Sequence, residues 1–273
     1  MRLKQVLGFT VLLCLALIVI ATTSDQLGGQ KRMRYDNFSV VLLTRINGTY
    51  GSHLGDGTIA VYDINDDGIK DLILAGTGKN LSNGASDNTG QLYIMYGSSE
   101  KWSRSSYSVT NANITFNGTS PGSFSFQAVL DYINNDTYLD LVVSAYAVNL
   151  SGGAYDDTGQ IYIFYGSSDG LHSYSASEAN VTINGTSPGW FGSSLIIEDL
   201  NNDSYVDLLT SADSINLSGG NKDYTGQIYI FYGNADGLHS YSASEANVTI
   251  NGTYNSLLGL PIGLNDINGD GYS

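Results

Sequence analysis

The chain has 273 residues, 26 of them acidic and 11 basic, for a formal net charge of −15. A surface this acidic repels phosphate backbones, which excludes nucleic-acid binding, and it suits uptake of divalent cations. The 33 glycines and 20 tyrosines against 3 prolines point to many short strands joined by Gly, Asn, Asp and Ser turns.

Residues 1–23 read as an export signal. Arg2 and Lys4 precede an apolar run from Val6 to Ala21, interrupted only by Gly8 and Thr10, and the run ends at residues suited to cleavage. An uncleaved N-terminal anchor is the alternative, although the run is short for a membrane span. Residues 24–37 read as a linker. Cys14 is the only cysteine and lies inside the apolar run, so the exported part has no disulfide. The expected location is secreted or cell-surface. Asn-x-Ser/Thr sequons at Asn37, Asn47, Asn80, Asn113, Asn117, Asn135, Asn149, Asn180, Asn184, Asn202, Asn216, Asn247 and Asn251 fit a glycoprotein.

A repeat occupies residues 38–273. Thr158-Gly159-Gln160-Ile161-Tyr162-Ile163-Phe164-Tyr165-Gly166 returns at Thr225–Gly233, and a variant stands at Thr89–Gly97, so the period is 67 to 69 residues. A period of that size marks an array in which each unit packs on its neighbours. Within the third unit four apolar runs stand out: Phe191 to Glu198, Tyr205 to Ala212, Gln227 to Tyr232 and Asn247 to Ile250. All have strand length, and no stretch keeps a helical period. Four strands per repeat predict the blade of an all-β, β-propeller fold. The predicted order is a lone fourth strand near Ser39 to Ile46, three complete blades, and an opening strand near Leu257 to Leu264. The array is therefore expected to belong to a longer propeller, incomplete at the C-terminus. The outer blade would leave Leu257, Leu258 and Leu260 poorly covered.

Between the first two strands of each blade lies an oxygen-rich turn. Asp63, Asn65, Asp67 and Asp71 hold positions 1, 3, 5 and 9, with Gly68 at 6. Asp199, Asn201, Asp203 and Asp207 repeat the set, with Ser204 at 6. Asp266, Asn268 and Asp270 begin another copy. Calcium takes six to eight oxygen ligands, and alternate side chains of a tight turn converge on it. The carbonyls of Ile69 and Tyr205 would add a ligand each. Close carboxylates repel by several kcal/mol at an effective dielectric near 20, so the repeated pattern favours a bound Ca2+ over an ordinary turn. An EF-hand is excluded: Leu74 and Thr210 stand where its Glu belongs, and the flanks are strands. The second turn departs from the pattern. Tyr132 replaces the first ligand, leaving Asn134, Asp136 and Asp140, and Asp131 could substitute only by shifting the turn.

Phe191-Gly192, the weaker Leu54-Gly55 and Leu258-Gly259, and the strands Asp71–Gly76 and Asp207–Ala212 together resemble the FG-GAP repeats of the integrin alpha-chain N-terminal propeller. The final Pro of that motif is missing throughout. The resemblance implies seven blades and ligand contacts on the face opposite the calcium loops. That face would gather residues 76–90, 145–159 and 212–226, plus 117–123 and 184–190, with Tyr146, Tyr155, Asp157, Trp190, Asp213 and Tyr224 as candidate contacts to a protein or glycan partner. The leading reading is a noncatalytic binding or adhesion module at the cell surface. Secreted phospholipase-D-like enzymes carry similar repeats, so the propeller part of a hydrolase is an alternative, and a structural envelope component is another.

No catalytic constellation competes. Gly166-Ser167-Ser168-Asp169-Gly170 fits the nucleophile pattern G-x-S-x-G, but its copy at Gly233–Gly237 has no serine and its setting is a turn between strands. His172 and His239 are one repeated position, His53 stands apart, and no His/Cys set has zinc spacing.

Overall fold

The computed structural model describes residues 45–81, 88–98, 106–150, 157–217 and 223–265. The expected leader and linker, and the candidate residues Tyr155, Asp266, Asn268 and Asp270, lie outside these residues. No helix among the described residues is long and apolar enough to cross a membrane.

The first strand, β1 (Ile46–Asn47), precedes the first blade. That blade holds β2 (Leu54–Tyr62), β3 (Asp71–Gly76), β4 (Gln91–Met95), the two-residue β5 (Tyr107–Ser108) and β6 (Ile114–Asn117). Strands β2, β3, β4 and β6 lie side by side, each antiparallel to the next. The second blade repeats the plan with β7 (Ala128–Asp131), β8 (Asp140–Ala145), β9 (Gln160–Phe164), β10 (Tyr174–Ser175) and β11 (Val181–Asn184). The third does so with β12 (Phe191–Glu198), β13 (Asp207–Ala212), β14 (Gln227–Phe231), β15 (Tyr241–Ser242) and β16 (Val248–Asn251). The protein is all-β, a run of propeller blades, and the described residues do not close a ring.

The second strand of each blade explains the near-continuous apolar runs. Every residue of β3, β8 and β13 is buried. β8 lies between two blades, while β3 and β13 have a blade on one face and single segments, around Ile46 and around Gly259, against the other, so both alternating sets of side chains are covered. Blades one and two enclose one core, in which Phe116 meets Phe164 edge-on at 4.9 Å. Blades two and three enclose another, with Ile161, Ile163 and Ile183 against Phe191 and Phe231.

The repeated Thr-Gly-Gln is the joint between blades. Thr158 accepts a hydrogen bond from the Phe191 N–H at 3.3 Å. Gly159 has φ +84°, and a Cβ there would stand 2.1 Å from the Phe191 carbonyl oxygen, so only glycine lets the next blade's first strand approach. Gln160 donates from Nε2 to Asn184 Oδ1 at 2.6 Å, tying the third strand to the fourth.

The sequence did not show a second joint. Strands β5, β10 and β15 do not extend their own blades. Each pairs in parallel with the outer strand of the preceding unit: β5 with β1, β10 with β6 and β15 with β11. Ser173 and Ser240 add bonds, their Oγ accepting from Thr115 N–H (3.0 Å) and Thr182 N–H (3.1 Å). Two residues are too few to carry a periodic signal, and they are extended only because a neighbour's edge holds them.

Four elements differ from expectation. The second strand of blade three starts at Asp207, because Tyr205 and Val206 belong to the turn, and its outer strand is Val248–Asn251. The third strand stops at Phe231, one residue short of Tyr232. The opening strand expected at Leu257 to Leu264 is absent: a single parallel bridge joins Leu258 to Gly226. A first strand is held along its length by the second strand of its blade, and no such strand lies beside this segment among the described residues.

The packing sets an expectation. Phe164 is buried between blades, so Phe164→Ala should cost about 3–5 kcal/mol in urea unfolding, whereas the exposed Val61→Ala should change stability by less than about 0.5 kcal/mol.

Candidate metal loops and the opposite face

Antiparallel pairing puts the turn after the first strand of every blade at one end of the sheets and the turn after the second strand at the other. The oxygen-rich loops therefore share one face. In the first loop, Asp63 accepts from the backbone N–H of Asp67 and Gly68 at 3.1 and 2.9 Å. Asn65 Oδ1 accepts from Asp67 N–H, and Asp67 Oδ1 accepts from Ile69 N–H. Asp199, Asn201 and Asp203 repeat these bonds in the third blade, with Tyr205 N–H donating to Asp203. The backbone must turn through left-handed φ at Asp66 and Gly68, and at Asn202 and Ser204.

The ninth position behaves differently. Asp71, Asp140 and Asp207 are all fully buried. Asp71 accepts from Ile64 N–H (2.7 Å) with one carboxylate oxygen and from Gly97 N–H (2.7 Å) with the other. Asp140 does the same for Ile133 and Gly166, and Asp207 for Leu200 and Gly233. This residue is a clasp that ties the loop's entry to the end of the third strand. Burial pushes the Asp140 carboxyl up to about 6 and raises that of Asp207, with the loop carboxylates Asp136, and Asp203 and Asp199, adding to the effect.

The second loop keeps part of this arrangement. Asn134 Oδ1 accepts from Asp136 N–H and Asp136 Oδ1 from Tyr138 N–H. Tyr132, at the first position, is 46 % exposed, and Asp131 accepts from the N–H of Tyr132 beside it. Thr137, at the sixth position, is not among the left-handed residues, so the backbone there takes another course.

Among the described residues no three His, Cys, Asp or Glu side chains gather as a metal cluster. The donor set of the first and third loops still fits a hard cation in kind. Asp63, Asn65 and Asp67, and Asp199, Asn201 and Asp203, are oxygen ligands on one turn, and a carboxylate oxygen that accepts one amide keeps a second lone pair.

On the opposite face, Tyr146 follows β8 and Trp190 precedes β12. Phe126, Tyr146 and Trp190 form a ladder of rings, 4.5 and 5.8 Å between centroids, that bridges blades two and three. Trp190 is 38 % exposed. Three other candidates have a part in the scaffold. Asp213 is buried, accepts from Ser214 Oγ, and has its pKa raised by burial, so it is not a surface contact. The Asp157 carbonyl accepts from Gly189 and Trp190 N–H, and its own N–H donates to Asn149 Oδ1. Tyr224 repeats that corner with Asn216. The histidines have a plain role: His172 and His239 lie edge-on to Tyr174 and Tyr241.

With this geometry the comparisons can be read. A phosphatidylinositol-glycan-specific phospholipase D of Rattus norvegicus is 35% identical over 145 residues, which are 51% of this chain and 16% of that protein. The Bos taurus protein of the same name is 36% identical over 145 residues, 50% of this chain and 16% of its own. Integrin alpha-6 of Gallus gallus is 28% identical over 162 residues, 59% of this chain and 13% of its own. The repeats are integrin-like, of the FG-GAP type. No protein-family profile matches the chain, and the matched region spans less than a fifth of each relative's length. The integrin-like blades therefore account for the shared part and leave the rest of those proteins aside.

Sequence reasoning missed the role of the recurrent asparagines. Asn113, Asn180 and Asn247 each accept from the N–H that follows the third strand, at Tyr96, Tyr165 and Tyr232. Asn117, Asn184 and Asn251 hold the glutamines of the blade joint. Their recurrence at matching repeat positions has a structural cause, and that was the signal available.

The clasp gives a direct test. Asp71→Ala strands two buried amides and should destabilise by about 2–4 kcal/mol in urea unfolding, while Asp71→Asn, which keeps one acceptor, should cost less.

Proposed function

We propose that this chain is a noncatalytic, calcium-binding propeller module that works outside the cell and presents loops to a protein or glycan ligand. The observation that carries the cation reading is the recurrence, 136 residues apart at Asp63 and Asp199, of one oxygen-only turn with the same backbone path. Asp63, Asn65 and Asp67 would hold the ion with the Ile69 carbonyl, and Asp199, Asn201 and Asp203 with that of Tyr205. Asp71 and Asp207 accept one amide on each oxygen, as Asp63 and Asp199 do, and would add a ninth-position ligand from the buried side of the loop. A bound ion supplies the positive charge that lets the loop carboxylates lie together. The second site, at Asn134, Asp136 and Asp140, is weaker for want of its first carboxylate.

The reading of ligand binding is supported by the loop face. Loops on a rigid scaffold are where binding residues concentrate, and the Phe126–Tyr146–Trp190 ladder, with Trp190 exposed and the other two rings half-buried, lies there. Export is supported by the leader-like residues 1–23 and the sequons. The named phospholipase D relatives favour a second reading, in which such blades are the propeller portion of a secreted hydrolase.

Calcium should raise the melting temperature and excess chelator should lower it, because the repelling carboxylates lose their counter-ion. Calorimetric titration of Asp63→Ala/Asp67→Ala should show one site fewer than the parent chain. Identical melting curves with calcium and with chelator would remove the cation from this proposal.

A further inference from the structure

The fourth and sixth positions of the oxygen-rich turns change together. They are Asp66 and Gly68 in the first loop, Asn135 and Thr137 in the second, Asn202 and Ser204 in the third, and Gly269 and Gly271 in the copy that begins at Asp266. The sixth position suits glycine, because Gly68 has φ +80°. Ser204 holds the same conformation at φ +72°, where a side chain is strained, and the second loop takes another path around Thr137. Glycine is given up only where the fourth residue is asparagine, and each time for a hydroxyl residue. The result is the acceptor pattern Asn-x-Ser/Thr.

The fold opens both acceptors to solvent. Asn135 and Asn202 sit at the tips of their loops with φ +59° and +61°, and both are exposed, as are Thr137 and Ser204. Neither asparagine side chain hydrogen-bonds to a described residue. The residues beside them do: Asn134 Nδ2 donates to Asp136 at 2.8 Å and Asn201 Nδ2 to Asp203 at 2.9 Å. The oxygen set of the turn therefore does not involve the fourth side chain. Asn135 stays exposed although blade three packs beside it, where a Cβ on Gly237 would lie 2.9 Å from Asn134 Cα. Other sequons are engaged. Asn47 Nδ2 donates to Ser106 Oγ at 2.7 Å, and Asn184 is half-buried, its Oδ1 held by Gln160 in the blade joint.

We propose that Asn135 and Asn202 carry N-linked glycans, and that Asn47 and Asn184 do not. The amide nitrogen Nδ2 is the nucleophile. It bonds to C1 of a sugar and loses one proton, and the C1–O bond to the phosphate of a lipid-linked oligosaccharide donor breaks. This rests on the reading that the chain is exported, since such acceptors are modified on exported chains. Both glycans would stand on the metal-loop face, away from Trp190 on the other.

Glycopeptide mass spectrometry on the chain from its own host tests this. Glycan mass is expected on Asn135 and Asn202 and none on Asn47 and Asn184. Asn135→Asp and Asn202→Asp, the residue type that Asp66 supplies in the first loop, should each remove one glycan from the intact mass. Ser204→Gly should remove the Asn202 glycan as well. In chain made by a host without the transferase, the same variant should raise the melting temperature by relieving the left-handed serine. An exported chain bare at either asparagine would overturn the proposal and leave export standing. An unmodified chain kept in the cytoplasm would overturn both. Glycan mass on Asn47 and Asn184 equal to that at the loop tips would show that the fold does not select the sites.

Discussion

Blade-on-blade burial is the constraint on which the structure depends. A four-stranded sheet of this composition has two apolar faces and no means of covering either alone. The second strands are buried because each is covered on both sides, β8 by two blades and β3 and β13 by one blade and a single segment. The joints that secure the contact are small and repeated. Gly159 lets Phe191 in, Thr158 takes its amide, and the Tyr174-Ser175 segment reaches back to the edge of the blade before. Each joint spends a backbone feature of one blade on the next, so the blades cannot be treated as separate folding units.

The buried aspartates serve this frame as much as any ion. Asp71, Asp140 and Asp207 accept two or more amides each, and those amides belong to two segments far apart in sequence, the loop entry and the exit of the third strand. A buried N–H without a partner costs about 1–3 kcal/mol, so the clasp is needed whether or not a cation is near. The loop carboxylates Asp63, Asp67, Asp199 and Asp203 stand nearer solvent and organise only their own turn. One motif thus divides its labour: the ninth position builds the blade, and the first, third and fifth present oxygen.

The same division runs through the loops of the opposite face. Asp157 and Tyr224 occupy a left-handed corner whose amide is bound by an asparagine eight residues earlier, and Asp213 is buried. Of the described candidate contacts only Trp190 remains exposed. Trp190 itself sits at a left-handed position shared with His53, Ser123 and Leu257, so its backbone conformation belongs to the repeat and its side chain is what differs.

The sequence by itself determined the repeat, the four strands of each blade, the class of fold and the oxygen-rich turns, because these are local. A 67-residue period, an alternating apolar run and Asp-x-Asn-x-Asp can be read without a partner. It also showed that Tyr132 stands at the first position of the second loop, where the other two have Asp. Tertiary structure decided the rest. Two-residue strands such as β10 are extended only against another blade's edge, and Leu257 to Leu264 lacks a second strand to hold it. The Asp71 carboxylate turns to Gly97, 26 residues away, a choice that depends on where the third strand ends. Ile183 and Ile250 lie in identical sequence, Asn-Val-Thr-Ile-Asn-Gly-Thr, yet one is buried and the other half-exposed. Burial is set by what packs against a residue, and no window around the residue contains that.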